Sequence, residues 1–290
     1  MSELIVAKGL VRSFGEIKAV TDVSFSASTG DVLGFLGPNG AGKSTTMRML
    51  SSFLLPDSGE ASICGYDVVQ QSREARSRLG YLPESAPLYP DMTVKELLNF
   101  VLEVRQVGKH LRGQRFNDIV EKTHLDSVLQ QRIETLSKGF KRRVGLAQAL
   151  IHDPDVLILD EPTDGLDPNQ KHDMRELIRE MAKSKCILLS THILEEVEEV
   201  CTRVIVISKG RIVVDETPDL MRRRSDSFGV VRLSFSAPLS EDNLTALRGI
   251  RQVDRVDVHS SAAGEVTYNL VPKNRQEVFS EVFSCLQNRS

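Results

Sequence analysis

Closely spaced cysteines are missing from this 290-residue sequence. Its four cysteines, Cys64, Cys186, Cys201 and Cys285, are far apart and form no C-x-x-C pair. Zinc sites and disulfide frameworks both depend on such spacing, so neither is indicated. We therefore expect reduced, mostly buried cysteines, as in a protein of the cytosol.

The sequence also lacks a segment that predicts membrane insertion. Residues 1–8 contain no basic stretch followed by an apolar one, and no apolar run approaches the roughly 18 residues that span a bilayer. If the protein serves a membrane process, another chain must therefore supply the membrane part.

An excess of positive charge is absent as well. The net charge is -3, which argues against a general nucleic-acid-binding surface. The composition, with 40% apolar and 27% charged residues, is that of an ordinary soluble protein. The length favours one large core with a small appendage.

The most specific pattern present is a glycine-rich loop that fits G-x-x-x-x-G-K-[ST] at every fixed position. Its residues are Gly37, Pro38, Asn39, Gly40, Ala41, Gly42, Lys43 and Ser44. A strand-like apolar run precedes it and apolar residues at helical spacing follow it. Backbone N–H groups in such a loop cradle polyphosphate, and the helix N-terminus adds its positive end. The alternative, a plain glycine turn, is disfavoured by the Lys-Ser pair and by this context.

This loop predicts contacts to a nucleotide and its metal ion. Lys43 is expected to reach the β- and γ-phosphates, and the Ser44 hydroxyl is expected to coordinate Mg²⁺.

Two further strand-like runs end in residues suited to phosphate chemistry. Residues 156–159 are followed by Asp160 and Glu161, and residues 186–190 are followed, after Thr191, by His192. The carboxyl ends of parallel strands form the ligand-binding edge of an open α/β sheet. We expect Asp160 to hold Mg²⁺ through water and Glu161 to accept a proton from the attacking water. A solvated acidic turn and a surface histidine remain the alternatives.

The order of the elements predicts an α/β fold with a parallel-sheet core. Continuous apolar runs at 156–159, 186–190 and 204–207 are separated by helical segments, which is typical of buried parallel strands. Alternating residues at 4–11 and 20–26 predict an antiparallel β subdomain. A mostly helical insert is predicted at about 93–151, beginning with a capping-box pattern at Thr93 and Glu96.

We predict two domains, covering residues 1–224 and 225–290. The basic triplet at 222–224 and the polar residues 225–227 have the character of a linker, with the triplet as a solvated helix end. Beyond it, residues 230–235, 242–247, 253–258, 266–271 and 277–286 suggest a small β-α-β-β-α domain. No site chemistry is evident in this C-terminal α+β domain.

Taken together, the motifs resemble those of the nucleotide-binding subunit of the ATP-binding cassette transporter family, over about residues 4–215. Residues 37–44 match the Walker A loop, 136–140 the signature, 157–161 the Walker B strand, 165–167 the D-loop, and His192 the switch histidine. The resemblance implies a P-loop NTPase fold that binds ATP and Mg²⁺. It assigns catalysis to Glu161 and His192, and metal binding to Ser44 and Asp160. The ATP-binding residues it implies are Phe14 (stacked on adenine), Gly37, Pro38, Asn39, Gly40, Ala41, Gly42, Lys43, Ser44, Thr45, Glu84, Ser137, Gly139, Asp160 and Asp167.

The resemblance also implies partners. In this family two subunits pair head to tail with two ATP molecules between them, so that Ser137 and Gly139 of one subunit cap the ATP of the other. A homodimer is expected, together with an integral membrane permease and a position on the cytoplasmic face of the cell membrane. Loss of the γ-phosphate would then weaken the attraction between the subunits.

Two departures from the family pattern point to a narrower group within the family. Glu84 occupies the position of a glutamine, and the signature contains Lys138 and Phe140 where glycine and glutamine are usual. A carboxylate at position 84 cannot donate as an amide does, whereas Lys138 and Lys141 could attract phosphate. These variants and the extra C-terminal domain are similar to exporter ATPases of the gliding-motility, drug-resistance and polysaccharide-export type.

Other functions compatible with the same ATPase head are left open. One is an ABC-type ATPase acting on nucleic acid or ribosomes, although the chain has neither a long coiled coil nor two heads joined by a charged linker. Another is a nucleotide-gated module without hydrolysis, against which the presence of Glu161 argues.

Overall fold

The computed structural model describes residues 3–224, 228–260, 266–273 and 278–287, and the chain divides into two compact units, Met1–Pro218 and Asp219–Ser290. The strands of the first unit are β1 (Glu3–Phe14), β2 (Ile17–Ser28), β3 (Val32–Leu36), β4 (Ser58–Ile63), β5 (Tyr66–Asp67), β6 (Leu79–Leu82), β7 (Val156–Asp160), β8 (Cys186–Thr191), β9 (Arg203–Ser208) and β10 (Arg211–Glu216). Its α-helices are α1 (Lys43–Leu50), α2 (Ser72–Ser77), α3 (Val94–Val104), α4 (Lys109–Thr123), α5 (Lys138–Leu150), α6 (Pro168–Ala182) and α7 (Leu194–Val200).

A six-stranded sheet forms the centre of this unit, in the order β10-β9-β3-β8-β7-β6. Strands β9, β3, β8, β7 and β6 are parallel, and β10 pairs antiparallel with β9. Every residue of β7 and β8 is buried, as expected for continuous apolar runs in a sheet that is covered on both faces. The predicted parallel-sheet core is confirmed.

A second sheet, β2-β1-β4-β5, is antiparallel. One hydrophobic cluster contains residues from both sheets and from α1, among them Ile5 of β1, Phe35 of β3, and Met47 and Leu50 of α1. The first helix is therefore anchored by a core that both sheets share, and this anchoring holds its N-terminal end in place beside β3.

The helical insert lies between β6 and β7 and contains α3, α4 and α5. Its first helix begins with the predicted capping box. Thr93 Oγ1 accepts a hydrogen bond from the Glu96 amide at 3.2 Å, and the Glu96 carboxylate accepts one from the Thr93 amide at 2.8 Å. Two of the unpaired amides at the helix start are thereby satisfied.

Strand β6 is an edge strand of the central sheet. It has only four residues, one of which is Gly80, so its local pattern is weak. Pairing in parallel register with β7 makes it a strand. The glycine lets α5 approach closely, since a Cβ at position 80 would lie 2.2 Å from the carbonyl oxygen of Ala149 and 2.8 Å from the Leu157 side chain.

The second unit is a small α+β fold. Its elements are α8 (Pro218–Arg224), β11 (Val231–Phe235), α9 (Glu241–Arg248), β12 (Val253–Ser260), β13 (Val266–Pro272) and α10 (Phe279–Gln287). The strands form an antiparallel sheet in the order β11-β13-β12. At its centre the buried Tyr268 accepts a hydrogen bond from the Leu239 amide through its hydroxyl at 2.9 Å.

The division between the units falls at the first residue of α8, between Pro218 and Asp219, whereas the sequence suggested a boundary at 224/225. The basic triplet forms the C-terminal end of α8, in agreement with its interpretation as a helix end. Residues 225–227, the rest of the predicted linker, and Glu277, the first residue of the predicted last helix, lie outside the described residues. None of the described helices is long and apolar enough to cross a membrane.

The close approach of α5 to β6 predicts a specific sensitivity at Gly80. Because the new methyl group would overlap the backbone of α5, Gly80→Ala is expected to destabilise the protein by about 1–3 kcal/mol. The matched control is Gly113→Ala in α4, where an added Cβ meets nothing within 4 Å. That variant should be neutral or slightly stabilising. Thermal unfolding checks both, and equal melting temperatures for the two variants would contradict the packing described.

Candidate functional site

The loop between β3 and α1 is shaped by glycines at positions where a side chain does not fit. Gly42 has a φ of 112°, and a Cβ there would lie 2.6 Å from the carbonyl oxygen of Ala19. The next residue, Lys43, has a nearly buried side chain whose Nζ donates to the carbonyl oxygens of Gly37 at 2.6 Å and Pro38 at 3.2 Å. The ammonium group is therefore held inside the curve of the loop, at the N-terminus of a helix.

The end of β7 carries the two predicted carboxylates, and a serine of β8 connects them. Ser190 Oγ donates to the buried carboxylate of Asp160 at 2.5 Å and accepts from the amide of Glu161 at 2.9 Å. Glu161 has a φ of 50°, a left-handed conformation that residues other than glycine adopt rarely. This conformation turns the chain sharply, directly after the strand.

His192 and Glu161 contact each other directly. His192 Nδ1 lies 3.1 Å and 3.2 Å from the two carboxylate oxygens of Glu161. Burial raises the pKa of Glu161, while the hydrogen bond and the charge of His192, followed by the charge of Lys43, act in the opposite direction. Burial thus increases the affinity of the Glu161 carboxylate for a proton, as a general base requires.

A buried carboxylate secures the segments that follow Glu161 and precede His192. Glu196 of α7 accepts from Thr163 Oγ1 at 2.6 Å and from Thr191 Oγ1 at 2.8 Å, and it is 5% exposed. Lys171 of α6 lies 3.4 Å from the same carboxylate. Because Thr163 and Thr191 flank the two site residues in the chain, this network holds both segments in register.

One cavity of about 600 Å³ brings most of the predicted residues together. Those that line it are Phe14, Asn39, Gly40, Ala41, Gly42, Lys43, Ser44, Thr45, Glu84, Glu161 and His192. Phe14 is 47% exposed and has the Arg12 guanidinium 5.1 Å from its ring centroid. The cavity therefore combines an aromatic surface, a glycine-rich anion cradle and titratable groups.

The remaining predicted residues lie outside this lining. Gly37 and Pro38 contact the Lys43 ammonium from within the loop, and Asp160 is buried. Ser137 is the N-cap of α5 and accepts from the Phe140 amide at 3.3 Å, and Asp167 is the N-cap of α6 and accepts from the Gln170 amide at 2.9 Å. A Cβ on Gly139 would overlap the Gln170 side chain.

The cations of the signature segment are engaged within the chain. Lys138 Nζ lies 2.9 Å from Asp164 and lowers the pKa of that carboxyl, and Lys141 Nζ donates to the carbonyl oxygen of Glu134 at 3.0 Å. The sequence suggested that both lysines attract phosphate. Any phosphate at Lys138 must therefore compete with Asp164.

Sequence reasoning missed three charged residues of the cavity, namely Lys18, Asp164 and Lys209. Lys209 lies in the β9–β10 turn, which is joined to the glycine loop by a 2.9 Å hydrogen bond from the Gly210 amide to the Ala41 carbonyl oxygen. The Lys-Gly pair signals only a turn. This turn reaches the glycine loop, which lies more than 160 residues earlier in the chain, because β9 pairs with β3.

Comparisons with known proteins agree with this geometry. The sequence model of the ABC transporter family matches residues 20–164. The Nod factor export ATP-binding protein I of Bradyrhizobium diazoefficiens is 41% identical over 287 residues, covering 93% of each protein. The protein of the same name from Paraburkholderia xenovorans is 42% identical over 240 residues, covering 81% of this chain and 78% of its own. A solved ATP-binding subunit of an ABC transporter has a TM-score of 0.71 and 31% identity, covering 76% of this chain and 92% of that one.

The resemblance inferred from the motifs is thus confirmed by the family match, by relatives that cover most of the chain and by the fold. The chain belongs to the ABC transporter family and is an ATP-binding subunit that hydrolyses ATP.

Proposed function

We propose that the 600 Å³ cavity is the ATP site and that Glu161 is the base for hydrolysis. The observation that carries this proposal is the meeting of three groups at one cavity: the Lys43 ammonium in the glycine loop, the Glu161 carboxylate and His192. In this arrangement the loop amides and Lys43 bind the β- and γ-phosphates. Ser44 and Thr45 extend the phosphate site at the start of α1, and Phe14 stacks on the adenine.

Glu161 and His192 act on the water and the γ-phosphate. The Glu161 carboxylate removes a proton from the attacking water, and its raised pKa gives it the affinity for that proton. His192 orients the carboxylate by donating to it through Nδ1, and in the doubly protonated imidazolium form Nε2 also donates to the γ-phosphate. Ser190 and the Glu196 network keep these two side chains opposite each other.

The donor set of the site fits Mg²⁺. Ser44 and Asp160 offer hard oxygen atoms, and in the described part of the chain no three His, Cys, Asp or Glu side chains come together as a metal site. A few protein oxygens, completed by water and phosphate oxygens, are the environment that Mg²⁺ prefers. We propose that Ser44 holds the ion directly and Asp160 through water. When bound, the ion neutralises charge on the β- and γ-phosphates.

Glu84 lines the same cavity and introduces a second carboxylate near the γ-phosphate side. It cannot donate a hydrogen bond when ionised, and its charge repels phosphate unless the metal ion lies between them. We propose that it serves the metal's water shell and the hinge toward a membrane partner.

The transporter assembly is the second part of the proposal. Two copies pair so that Ser137 and Gly139 of one, together with Asp167 near the interface, complete the ATP site of the other. A separate membrane permease supplies the path for the cargo, which positions this chain at the cytoplasmic face. Export is favoured because two relatives that cover 81% and 93% of the chain are named as Nod factor export proteins.

Replacing the proposed base tests the function most directly. Glu161→Gln keeps the shape of the side chain but cannot accept the proton, so ATP hydrolysis is expected to slow at least about 100-fold while ATP binding is retained. The control is Glu180→Gln, an exposed carboxylate of α6. Single-turnover hydrolysis and nucleotide binding are the measurements, and near-normal turnover of Glu161→Gln would remove this residue from the base role.

The pH dependence of hydrolysis should report the environment of Glu161. Since burial raises its pKa above the ordinary value of 4.5, the acid limb of kcat/KM, which reports the nucleotide-free enzyme, is expected above pH 4.5. His192 opposes this shift, whereas Asp160 reinforces it. His192→Ala should therefore move the acid limb to still higher pH, apart from any loss of rate. His172→Ala, at an exposed position of α6, is the control, and a limb that stays in place or moves to lower pH would contradict the assignment.

Homodimer formation can be tested with the slow variant. Glu161→Gln is expected to be a dimer by light scattering with ATP and a monomer without it. Adding Ser137→Arg should abolish the dimer but leave ATP binding intact, because the capping surface belongs to the other subunit. Ser127→Arg, at an exposed position, serves as the control. A chain that stays monomeric with ATP bound would argue against a homodimer.

A further inference from the structure

A buried arginine of α5 connects the two chain segments that border the γ-phosphate side of the cavity. The Arg142 side chain is 6% exposed, an unusual degree of burial for this residue type. Burial lowers the pKa of Arg142, while the surrounding carboxylates, Asp160 foremost, favour its charged form. No feature of the sequence singled this residue out, because it is one of several basic residues after the signature.

Each of the five N–H donors of this guanidinium has a backbone carbonyl as its acceptor. Nη1 donates to Pro83 and Glu84, both at 2.8 Å. Nη2 donates to Asp160 and to Glu161, the latter at 2.6 Å, and Nε donates to Pro162 at 3.3 Å. An arginine has five such donors and no acceptor, so its hydrogen-bonding capacity is filled. No other charged side chain could reach both segments with the same number of donors.

These contacts act on a residue whose backbone conformation needs support. Glu161 has a φ of 50°, and such conformations persist where the surroundings hold them. Ser190 Oγ accepts from the Glu161 amide, and Arg142 donates to the Glu161 carbonyl oxygen. The residue is therefore held on both sides of its Cα, and this determines the direction of its carboxylate toward His192.

We propose that Arg142 is a positioning residue for ATP hydrolysis, which holds the Glu161 segment and the Glu84 loop in their working arrangement. This inference rests on the proposed role of Glu161 as the base. Arg142 does not line the ATP cavity, and the glycine loop with Lys43 is built on other elements. Its loss should therefore affect the rate of hydrolysis and leave nucleotide binding largely unchanged.

Two substitutions with fewer donors test the proposal. Arg142→Lys keeps the charge but offers three donors from one point, and Arg142→Gln offers two donors and no charge. We expect kcat to fall about 10- to 100-fold, more for glutamine, because a small displacement of a catalytic group has effects of this size. The dissociation constant for ATP should stay within about two-fold of wild type, since the phosphate-binding loop is intact.

The matched control is Arg203→Lys in β9. Arg203 also joins separate segments, with two hydrogen bonds to Asp215 and one of 2.7 Å to the Ser26 carbonyl oxygen, but it lies outside the site. This variant should lower the melting temperature and leave kcat within about two-fold of wild type. Comparison with Arg203→Lys therefore shows whether the Arg142 variants lose activity through lower stability or through misplaced catalytic groups.

A double-variant cycle shows whether Arg142 acts through Glu161. If it does, adding Arg142→Lys to Glu161→Gln should cause no further loss of rate, because the proton acceptor is already gone. Additive losses would overturn the proposal, as would a wild-type kcat in a folded Arg142→Lys. If both Arg142 variants fail to bind ATP, the residue serves folding and the proposal is wrong. If Glu161→Gln itself turns over normally, the proposed base has failed instead.

Discussion

The parallel pairing of β3, β8 and β7 is the constraint on which the site depends. In this register Leu36 lies beside Thr191 and Asp160 lies beside Ser190, so three carboxyl ends meet at one edge of the sheet. The glycine loop follows β3, Asp160 and Glu161 lie at the end of β7, and His192 follows β8. Since β7 and β8 are fully buried, a shift of register would carry a large hydrophobic cost. The fixed register therefore also fixes the positions of the charged groups at the strand ends.

Hydrogen-bonding side chains beneath this edge hold Glu161 and His192 in fixed positions relative to the strands. Ser190 links Asp160 to the Glu161 amide, and Glu196 links the segments that contain Thr163 and Thr191. Both networks are buried and have named partners at each end, which is the condition under which buried polar groups add rigidity. The exposed His192 is thus supported from inside the protein.

The sequence was informative wherever the signal was local. A contiguous loop pattern, apolar runs with carboxylates at their ends and a capping box each predict their own structure, so the core sheet, the insert and most of the cavity lining could be predicted. Strand β6 exists only because β7 pairs with it, and Lys209 reaches the cavity only through the pairing of β9 with β3. The ion pair between Lys138 and Asp164 and the carbonyl contacts of Arg142 join residues about 20 to 60 positions apart, and no spacing rule describes them.

The left-handed backbone of Glu161 implies that thermal stability and the rate of ATP hydrolysis make opposite demands on the residue at this position. A non-glycine residue in a sparsely populated conformation costs on the order of 1–3 kcal/mol. Glycine would relieve that cost, and asparagine would reduce it, but neither has a carboxylate. A chain selected only for resistance to heat would therefore abandon glutamate here. Its presence indicates that the fold gives up part of its thermal tolerance to direct one oxygen pair into the cavity.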